Sequence, residues 1–449
     1  MTARETASAA EGPGVVNGPE DGTLDWHAVD WGAAERTVRR LRQPIFTASH
    51  AGDLKRVRNL QKLMLRSRAN TLLSVRRVTE RNAGRKTAGV DGEVVLRPED
   101  KAELVAWVQR LAEPWTARPV KRVYIPKKGT AGKRRPLGVP VIVDRVLQAR
   151  VVNALEPEWE ARFEPRSYGF RPGRGCHDAI EAIFRVAGGA NPKRRWVLDA
   201  DLAAAFDRID HSHLLGQLGT FPARELIAGW LKAGVIEDGW FTPTEEGTPQ
   251  GGVASPLLLN VALHGMEQAA GVRYQQTGMD ARDAVAGSPV LIRYADDLVA
   301  LCHSRDEAEQ VKARLAGWPA PRGLAFNEDK TAIVTLDEGF DFLGFTVRRQ
   351  AGKLLIRPSK AARETDPGTA ADRGTRPARG ERTCGAATAH PRRAGVVGLL
   401  PDGWCPARCS PRWTATCGSS PTSGPGMPIR TSRGAGFVTG TSVSSTVRF

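Results

Sequence analysis

No stretch of this chain approaches the roughly 18 consecutive apolar residues that a membrane-spanning helix requires, so no membrane span is expected. The opening Met1-Thr-Ala-Arg-Glu-Thr-Ala7 lacks the apolar core of a secretory signal, and cytoplasmic residence follows by default. Cysteine is scarce. Of six in 449 residues, Cys176 and Cys302 stand isolated, which fits a reducing compartment rather than a disulfide framework. His177 and His211 have no partners at metal-ligand spacing and are expected to be structural or capping. The C-terminal end shows no added Cys/His nuclease module, and Cys405, Cys409 and Cys417 do not form a standard zinc-ligand spacing. What the chain has in excess is positive charge, a net +16. A polyanion is the implied partner, with a large nucleic acid the natural candidate and a membrane surface the alternative that charge alone leaves open. The length suits two or three domains with a sizeable core.

Two carboxylate clusters stand out. Val290-Leu-Ile-Arg-Tyr-Ala-Asp-Asp-Leu-Val-Ala-Leu-Cys302 is two apolar runs around a Tyr-Ala-Asp-Asp tetrapeptide, which reads as a tight β-hairpin. Asp296 and Asp297 would then sit side by side at its turn. Such a pair needs a cation between its members or full solvation, and hard oxygen ligands favour Mg²⁺. The second cluster lies in Arg195–His213, where Trp196-Val-Leu198 suggests a buried strand with Asp201 at its end, before a helix. Acids from separate strands converging on a metal pair roughly 3.5–4 Å apart serve in-line phosphoryl transfer. Between the clusters, Glu246–Asn260 carries glycines 247, 251 and 252, which allow close backbone approach to a ligand. Gln250 offers both donor and acceptor atoms. By itself that segment reads equally as a turn into a helix starting near Ser255-Pro256.

In this order and spacing the three segments resemble the palm of reverse transcriptases. From about Asp25 to Lys360 the chain is similar to the group II intron-encoded reverse transcriptase-maturases of bacteria. The further blocks are Thr87–Gly92, Arg122–Lys127, Lys133–Pro140, Asp144–Gln148, Ser167–Arg174, Glu328–Thr331 and Gly339–Phe345. The resemblance implies an α+β, right-hand polymerase fold: fingers, and an antiparallel palm sheet with packed helices. The implied organisation is a disordered segment at 1–24, a helical N-terminal extension at 25–95, fingers at 96–194, palm at 195–360 and an irregular tail at 361–449. It also implies RNA-directed DNA synthesis with two Mg²⁺ ions. The partners would be group II intron RNA, an RNA template, a DNA primer or target, and dNTPs.

Residue roles follow from the same match. Asp201, Asp296 and Asp297 correspond to the palm aspartates, with Asp201 and Asp296 as direct metal ligands. Lys330 corresponds to the lysine that protonates the leaving pyrophosphate. Phe206 becomes the steric gate against a ribose 2′-hydroxyl, with a core position as the competing reading. Gln250 becomes a contact to the nucleotide or nascent pair. Val123–Pro126 and Pro136–Pro140 read as two strands joined by the basic loop Lys127–Arg135, a loop suited to gripping phosphates. The resemblance makes it the fingers hairpin and singles out Lys133, Arg134 and Arg135 for the triphosphate. Tyr168, Phe170, Arg171 and Arg174 combine rings with guanidinium groups, as in single-strand recognition, while Tyr168 and Phe170 read equally as core. Leu343-Gly344, leading into Phe345, is the expected primer-grip hairpin. In the N-terminal extension Leu54, Val57, Leu60 and Leu63-Met64 recur at helical spacing among Lys55, Arg56 and Arg58. The stripe should pack, and the basic face should contact RNA or water. Asp210, ahead of Ser212, is expected to cap a helix.

Beyond Arg363 the resemblance stops. The family's basic, aromatic-rich helical thumb gives way to a Gly-, Pro-, Thr- and Arg-rich tail holding four of the six cysteines. Gly395–Asp402 can be encoded so that skipping one base spells Gly-Trp-Ser-Ala-Tyr-Tyr-Arg. Thr416–Pro425 can be encoded so that skipping two spells Val-Trp-Lys-Leu-Thr-Tyr-Lys-Trp-Ala. Both are thumb-like. Single-base insertions near Arg363-Glu364 and near Gly403-Trp404 account for both, so an out-of-frame tail and weak or absent activity are expected. Resequencing codons 364–449 tests this. Two other functions stand beside the polymerase: a non-catalytic RNA-binding maturase, which has no need of the aspartate trio, and a retron-like or diversity-generating reverse transcriptase.

Overall fold

The computed structural model describes residues 24–111, 115–126, 134–275 and 283–364. All of these fall within one unit, Met1–Trp404. Lys133, the four tail cysteines and the segments of the frameshift reading, 395–402 and 416–425, lie outside the described residues, as do residues 1–23.

Three helices open the chain: α1 (Trp31–His50), α2 (Leu54–Arg66) and α3 (Arg68–Arg76). Each begins on a capping side chain. Asp30 accepts from the Ala33 amide, Asp53 from Arg56 and Ser67 from Asn70, satisfying donors that the first helical turn leaves unpaired. The stripe on α2 differs from expectation. Val57, Gln61 and Met64 are buried, whereas Leu54 and Leu63 are more than half exposed. A polar residue is inside because Glu158 is there to meet it: Gln61 Nε2 donates to Glu158 Oε2 at 2.7 Å, and Arg58 pairs with the same oxygen at 2.7 Å. Arg58 is thereby bound within the protein rather than presented to solvent.

After α4 (Pro98–Arg110) come β1 (Val120–Pro126) and β2 (Arg134–Val139), then α5 (Ile142–Arg162), β3 (Ser167–Tyr168) and α6 (Cys176–Ala187). Next are β4 (Trp196–Asp201), α7 (Ala205–Arg208), α8 (His211–Leu218), α9 (Arg224–Lys232), β5 (Val235–Glu237) and β6 (Trp240–Thr242). They are followed by α10 (Ser255–Ala262), α11 (Met266–Ala269), β7 (Val290–Tyr294), β8 (Asp297–Cys302) and α12 (Arg305–Gly317). The last elements are β9 (Ala332–Thr335), β10 (Phe340–Phe342), β11 (Phe345–Gln350), β12 (Lys353–Pro358) and α13 (Lys360–Glu364). Among the described residues these strands form three sheets, ordered β2-β1-β5-β6, β3-β7-β8-β4-β9 and β10-β11-β12. The β1–β2 hairpin is antiparallel as expected, but Arg134 and Arg135 belong to strand β2 and not to the loop. The five-stranded sheet is antiparallel except at its edge, where β3 runs parallel to β7.

Both faces of the five-stranded sheet are covered, which is why its strands read as continuous apolar runs. Alternate residues go to different cores. Leu198, Leu291, Leu298 and Ala300 join the core formed with α10 and α12. Val197, Ile292, Val299 and Leu301 join the one formed with α6 and the three-stranded sheet.

One buried and one half-buried polar group pack between the helices. Asp144, 1% exposed, accepts from the indole Nε1 of Trp115 at 2.7 Å and of Trp230 at 2.8 Å, and from the Arg118 amide at 3.1 Å. His264 lies edge-on to the rings of Trp159 and Phe163. Burial pushes its pKa down to about 4, helped by the charges of Arg162, Arg293 and Arg171. Between pH 6.5 and 4 the unfolded chain therefore holds a proton on this imidazole that the folded chain does not. Stability contributed by His264 is present above pH 6.5 and is lost as pH falls through that window. His264→Phe should flatten this limb of a melting-temperature profile.

Candidate active site

The register of the five-stranded sheet brings the two acid clusters together. β4 and β8 pair so that Asp201 stands directly opposite Asp297, while Tyr294 pairs with Asp297 across the β7–β8 hairpin. Only Ala295 and Asp296 remain to make the turn, and Ala295 takes a left-handed conformation with φ of 54°. Backbone bonds hold the surroundings: the Ala295 amide donates to Tyr168 O at 3.0 Å, Leu202 to Asp296 O at 3.3 Å and Asn327 to Asp201 O at 2.8 Å.

Crowding of like charge marks the trio. Burial pushes the Asp297 carboxyl up to about 7, with Asp296 and Asp201 adding to the effect and Lys330 opposing it. Burial raises Asp296 as well; Asp201 reinforces this, while Arg135 and Lys330 act against it. A fourth acid, Asp199, is pushed up to about 6 by burial and by its neighbours Asp201 and Asp341. Asp199 is absent from the acids expected above. Its signal was there in the two-residue spacing, which puts it on the same strand face as Asp201. Lys330 follows Asn327, in a short turn before β9, and its ammonium donates to Asp201 Oδ2; that bond raises its pKa.

Among the described residues no three His, Cys, Asp or Glu side chains form a closed metal cluster. The donor set nevertheless suits a hard divalent cation. Burial and like charge penalise the charged forms of Asp296 and Asp297, and among the described residues the Lys330 ammonium is the cation bonded to the trio, through Asp201.

The Gly247–Gly252 segment is fastened on both sides. The Gly247 amide donates to Ile209 O at 2.8 Å and the Thr248 amide to Phe206 O at 2.6 Å. His211 Nε2 is 2.7 Å from Gly247 O, so this histidine anchors the segment. Gly138 of β2 donates to Gln250 O at 2.6 Å. The Gln250 side chain donates to Asp207 Oδ2 at 3.3 Å. Gly247 has a φ of 81°, and a Cβ there would lie 2.6 Å from the Asp207 carbonyl. Gly247→Ala should therefore displace the whole segment. The check is an exchange-rate increase at the Thr248 amide together with loss of about 2 kcal/mol of stability. Phe206 is half-buried and meets Phe170 edge-on, ring centroids 6.0 Å apart. Asp210 caps α8 through the His213 amide at 2.6 Å.

The template and primer candidates fall into different settings. Tyr168 is buried, with the Arg174 guanidinium 5.6 Å from its ring centroid, and Arg174 Nη1 donates to Pro165 O at 2.6 Å. Arg171 is also buried. It forks onto Glu160 at 2.9–3.2 Å and donates to Ser167 O at 2.7 Å and Glu164 O at 3.0 Å. Its guanidinium thus faces the protein interior, and the outward-facing role expected from sequence gives way to a structural one. Leu343 and Gly344 form a two-residue turn between β10 and β11, with φ of 51° and 81°. His177 packs edge-on against Phe345 at 5.8 Å. Arg134 and Arg135 are exposed on β2.

Comparison with known proteins follows the same outline. A family described as reverse transcriptase (RNA-dependent DNA polymerase) matches residues 125–347, and one described as the N-terminal domain of reverse transcriptase matches residues 26–108. Protein YkfC of Escherichia coli (strain K12) is 33% identical over 345 residues, covering 70% of this chain and 90% of YkfC. Group II intron-encoded protein LtrA of Lactococcus lactis subsp. cremoris is 39% identical over 193 residues, 42% of this chain, which spans only 31% of LtrA. Maturase-like protein 1 of Euglena gracilis is 24% identical, over 70% of this chain and 64% of its own length. Among solved structures, telomerase from Candida albicans aligns at 15% identity and a TM-score of 0.37, over 55% of this chain and 46% of that one. Among the described residues no helix is long and apolar enough to cross a membrane.

Proposed function

We propose, starting from the fact that this chain belongs to the reverse transcriptase family, that it is an RNA-directed DNA polymerase of the group II intron-encoded kind. The observation that carries this reading is the β4–β8 register, which sets Asp201 across from Asp297 with Asp296 beside them. Asp201, Asp296 and Asp297 are the residues that would hold two Mg²⁺ ions. When bound, these lower the pKa of an attacking hydroxyl and neutralise a leaving pyrophosphate.

The reaction is nucleotidyl transfer. The primer 3′-oxygen forms a bond to the α-phosphorus of a dNTP, the bond to the bridging oxygen of pyrophosphate breaks, and the hydroxyl proton is released. Lys330 supplies a proton to that leaving group; its raised pKa keeps it protonated until then. Arg134 and Arg135 approach the triphosphate from β2, and Lys133, next to them in sequence, is the third candidate. Gln250, held by Asp207, meets the nucleotide. Phe206 stands where a 2′-hydroxyl would collide, so Phe206→Val should raise ribonucleotide incorporation by about ten- to a hundredfold, read as the ratio of kcat/KM values for a ribo- and a deoxynucleotide. Tyr168 and Phe170 shape the template side, Arg171 and Arg174 brace it, and Leu343-Gly344 supports the primer end.

Intron RNA is the proposed partner, with a role in splicing and mobility, and the tail is the proposed site of impairment. Primer extension on an RNA template tests the reading. The frame-restored chain should extend in Mg²⁺ where the chain as written extends weakly or not at all. A restored chain without extension overturns it.

A further inference from the structure

We infer that Arg293 and Asn260 form a buried brace that sets the Ala295-Asp296 turn, and that both are positioning residues for the carboxylates above them. The inference rests on the polymerase reading for its functional consequence. Arg293 is 1% exposed, yet its bonded partners are neutral oxygens: Nη1 donates to Asn260 Oδ1 at 2.9 Å and to Ala295 O at 3.0 Å. Nε and Nη2 are buried without a hydrogen-bond partner among the described residues. The carboxylates of Glu164 and Glu267 act on it only through longer-range attraction. A buried guanidinium with two unpaired donors is costly to keep, so stability alone does not account for it. What it does instead is fix one peptide group, the one leading into Asp296.

Asn260 completes the brace. It is fully buried on α10, and its Nδ2 donates to Gly169 O at 3.0 Å. Gly169 backs onto the turn so closely that a Cβ there would sit 2.9 Å from the Ala295 nitrogen. The Ala295 amide in turn bonds to Tyr168 O at 3.0 Å. Both peptide groups of the left-handed Ala295 are therefore held, its N–H by β3 and its C=O by Arg293. A non-glycine residue in that conformation costs about 1–2 kcal/mol and persists only where its surroundings over-determine it. Releasing the brace frees the 295–296 peptide plane to turn and swings Asp296 away from Asp201.

The test uses the full chain with Asn260→Ala, Arg293→Lys and the conservative Asn260→Asp, which keeps an acceptor for Arg293. Two readouts are taken: hydrogen exchange of the segment 293–298 against helix α6, and Mn²⁺ binding followed by the electron paramagnetic resonance signal of the free ion. Asn260→Ala and Arg293→Lys should speed exchange at the turn by about tenfold with α6 unchanged. They should also weaken Mn²⁺ binding about ten- to a hundredfold, and Asn260→Asp, which keeps the acceptor for Arg293 but loses the donor to Gly169 O, should retain part of it. Unchanged turn exchange and Mn²⁺ affinity in folded variants overturn the inference, whatever happens to the melting temperature. Asp296→Ala is the control for the underlying reading. If it binds Mn²⁺ like the unmutated chain, the assignment of the carboxylates fails, while faster turn exchange in the brace variants still supports the brace.

Discussion

Primer extension by the frame-restored chain should fall on the order of a thousandfold when Asp296 is replaced by alanine, with little loss of stability. The two halves of that expectation have one cause. Asp296, Asp297 and Asp201 crowd their charge into a partly dry site, where burial and mutual repulsion raise the pKa values of the first two. In the absence of a divalent cation the ionised forms of Asp296 and Asp297 oppose folding. For Asp297 the sign runs one way: its folded-state pKa, pushed up to about 7, exceeds the unfolded value, so its contribution falls as pH rises from about 4 to 7. Asp297→Asn should therefore melt higher than the unmutated chain at pH 8 in a chelator, and should lose that advantage in excess Mg²⁺. A site that destabilises the protein while empty is the usual trade between activity and stability. Equal extension by Asp296→Ala and the parent would remove that aspartate from the mechanism.

The second large effect concerns folding. Asp144→Ala should cost about 3 kcal/mol or more, read as a shift in the urea midpoint, because it strands two indole N–H groups and one amide in the core. Burial raises the pKa of this carboxylate, and the three donors pull the other way. Asp144→Asn separates the contributions. Its oxygen can still accept from both Trp115 and Trp230, while its NH₂ would face the Arg118 amide, donor against donor. The asparagine variant should therefore retain more than half of the stability lost by alanine.

The strands and turns around the acids were legible because each is specified locally. Apolar runs bounded by Asp201 and by Ala295-Asp296 leave little choice of element, and the positive charge pointed to a nucleic acid. Asp210 was legible as a cap for the same reason. Three features were not. The buried position of Gln61 depends on Glu158, a partner far along the chain, and helical spacing alone favoured the exposed Leu54 and Leu63. Arg171 reads as a surface guanidinium until Glu160 and the Ser167 carbonyl fold around it. Arg293 directly precedes Tyr-Ala-Asp-Asp and reads as strand flank, since nothing local reveals that Asn260 reaches it from α10. Side chains whose role is set by distant partners are hidden from pattern reading, whereas those set by neighbours are not.

Strand β4 lies between β8 and β9, and both partners are encoded after it. During synthesis the segment Trp196–Asp201 leaves the ribosome with neither neighbour made. It stays a bare apolar ribbon until residues 290–302 emerge, and one edge remains open until Ala332–Thr335 follows. Long-range pairing of this kind is slow and prone to aggregation. A message truncated before codon 332 would yield a product inclined to clump, and the cell's quality-control machinery should meet this chain first through that ribbon.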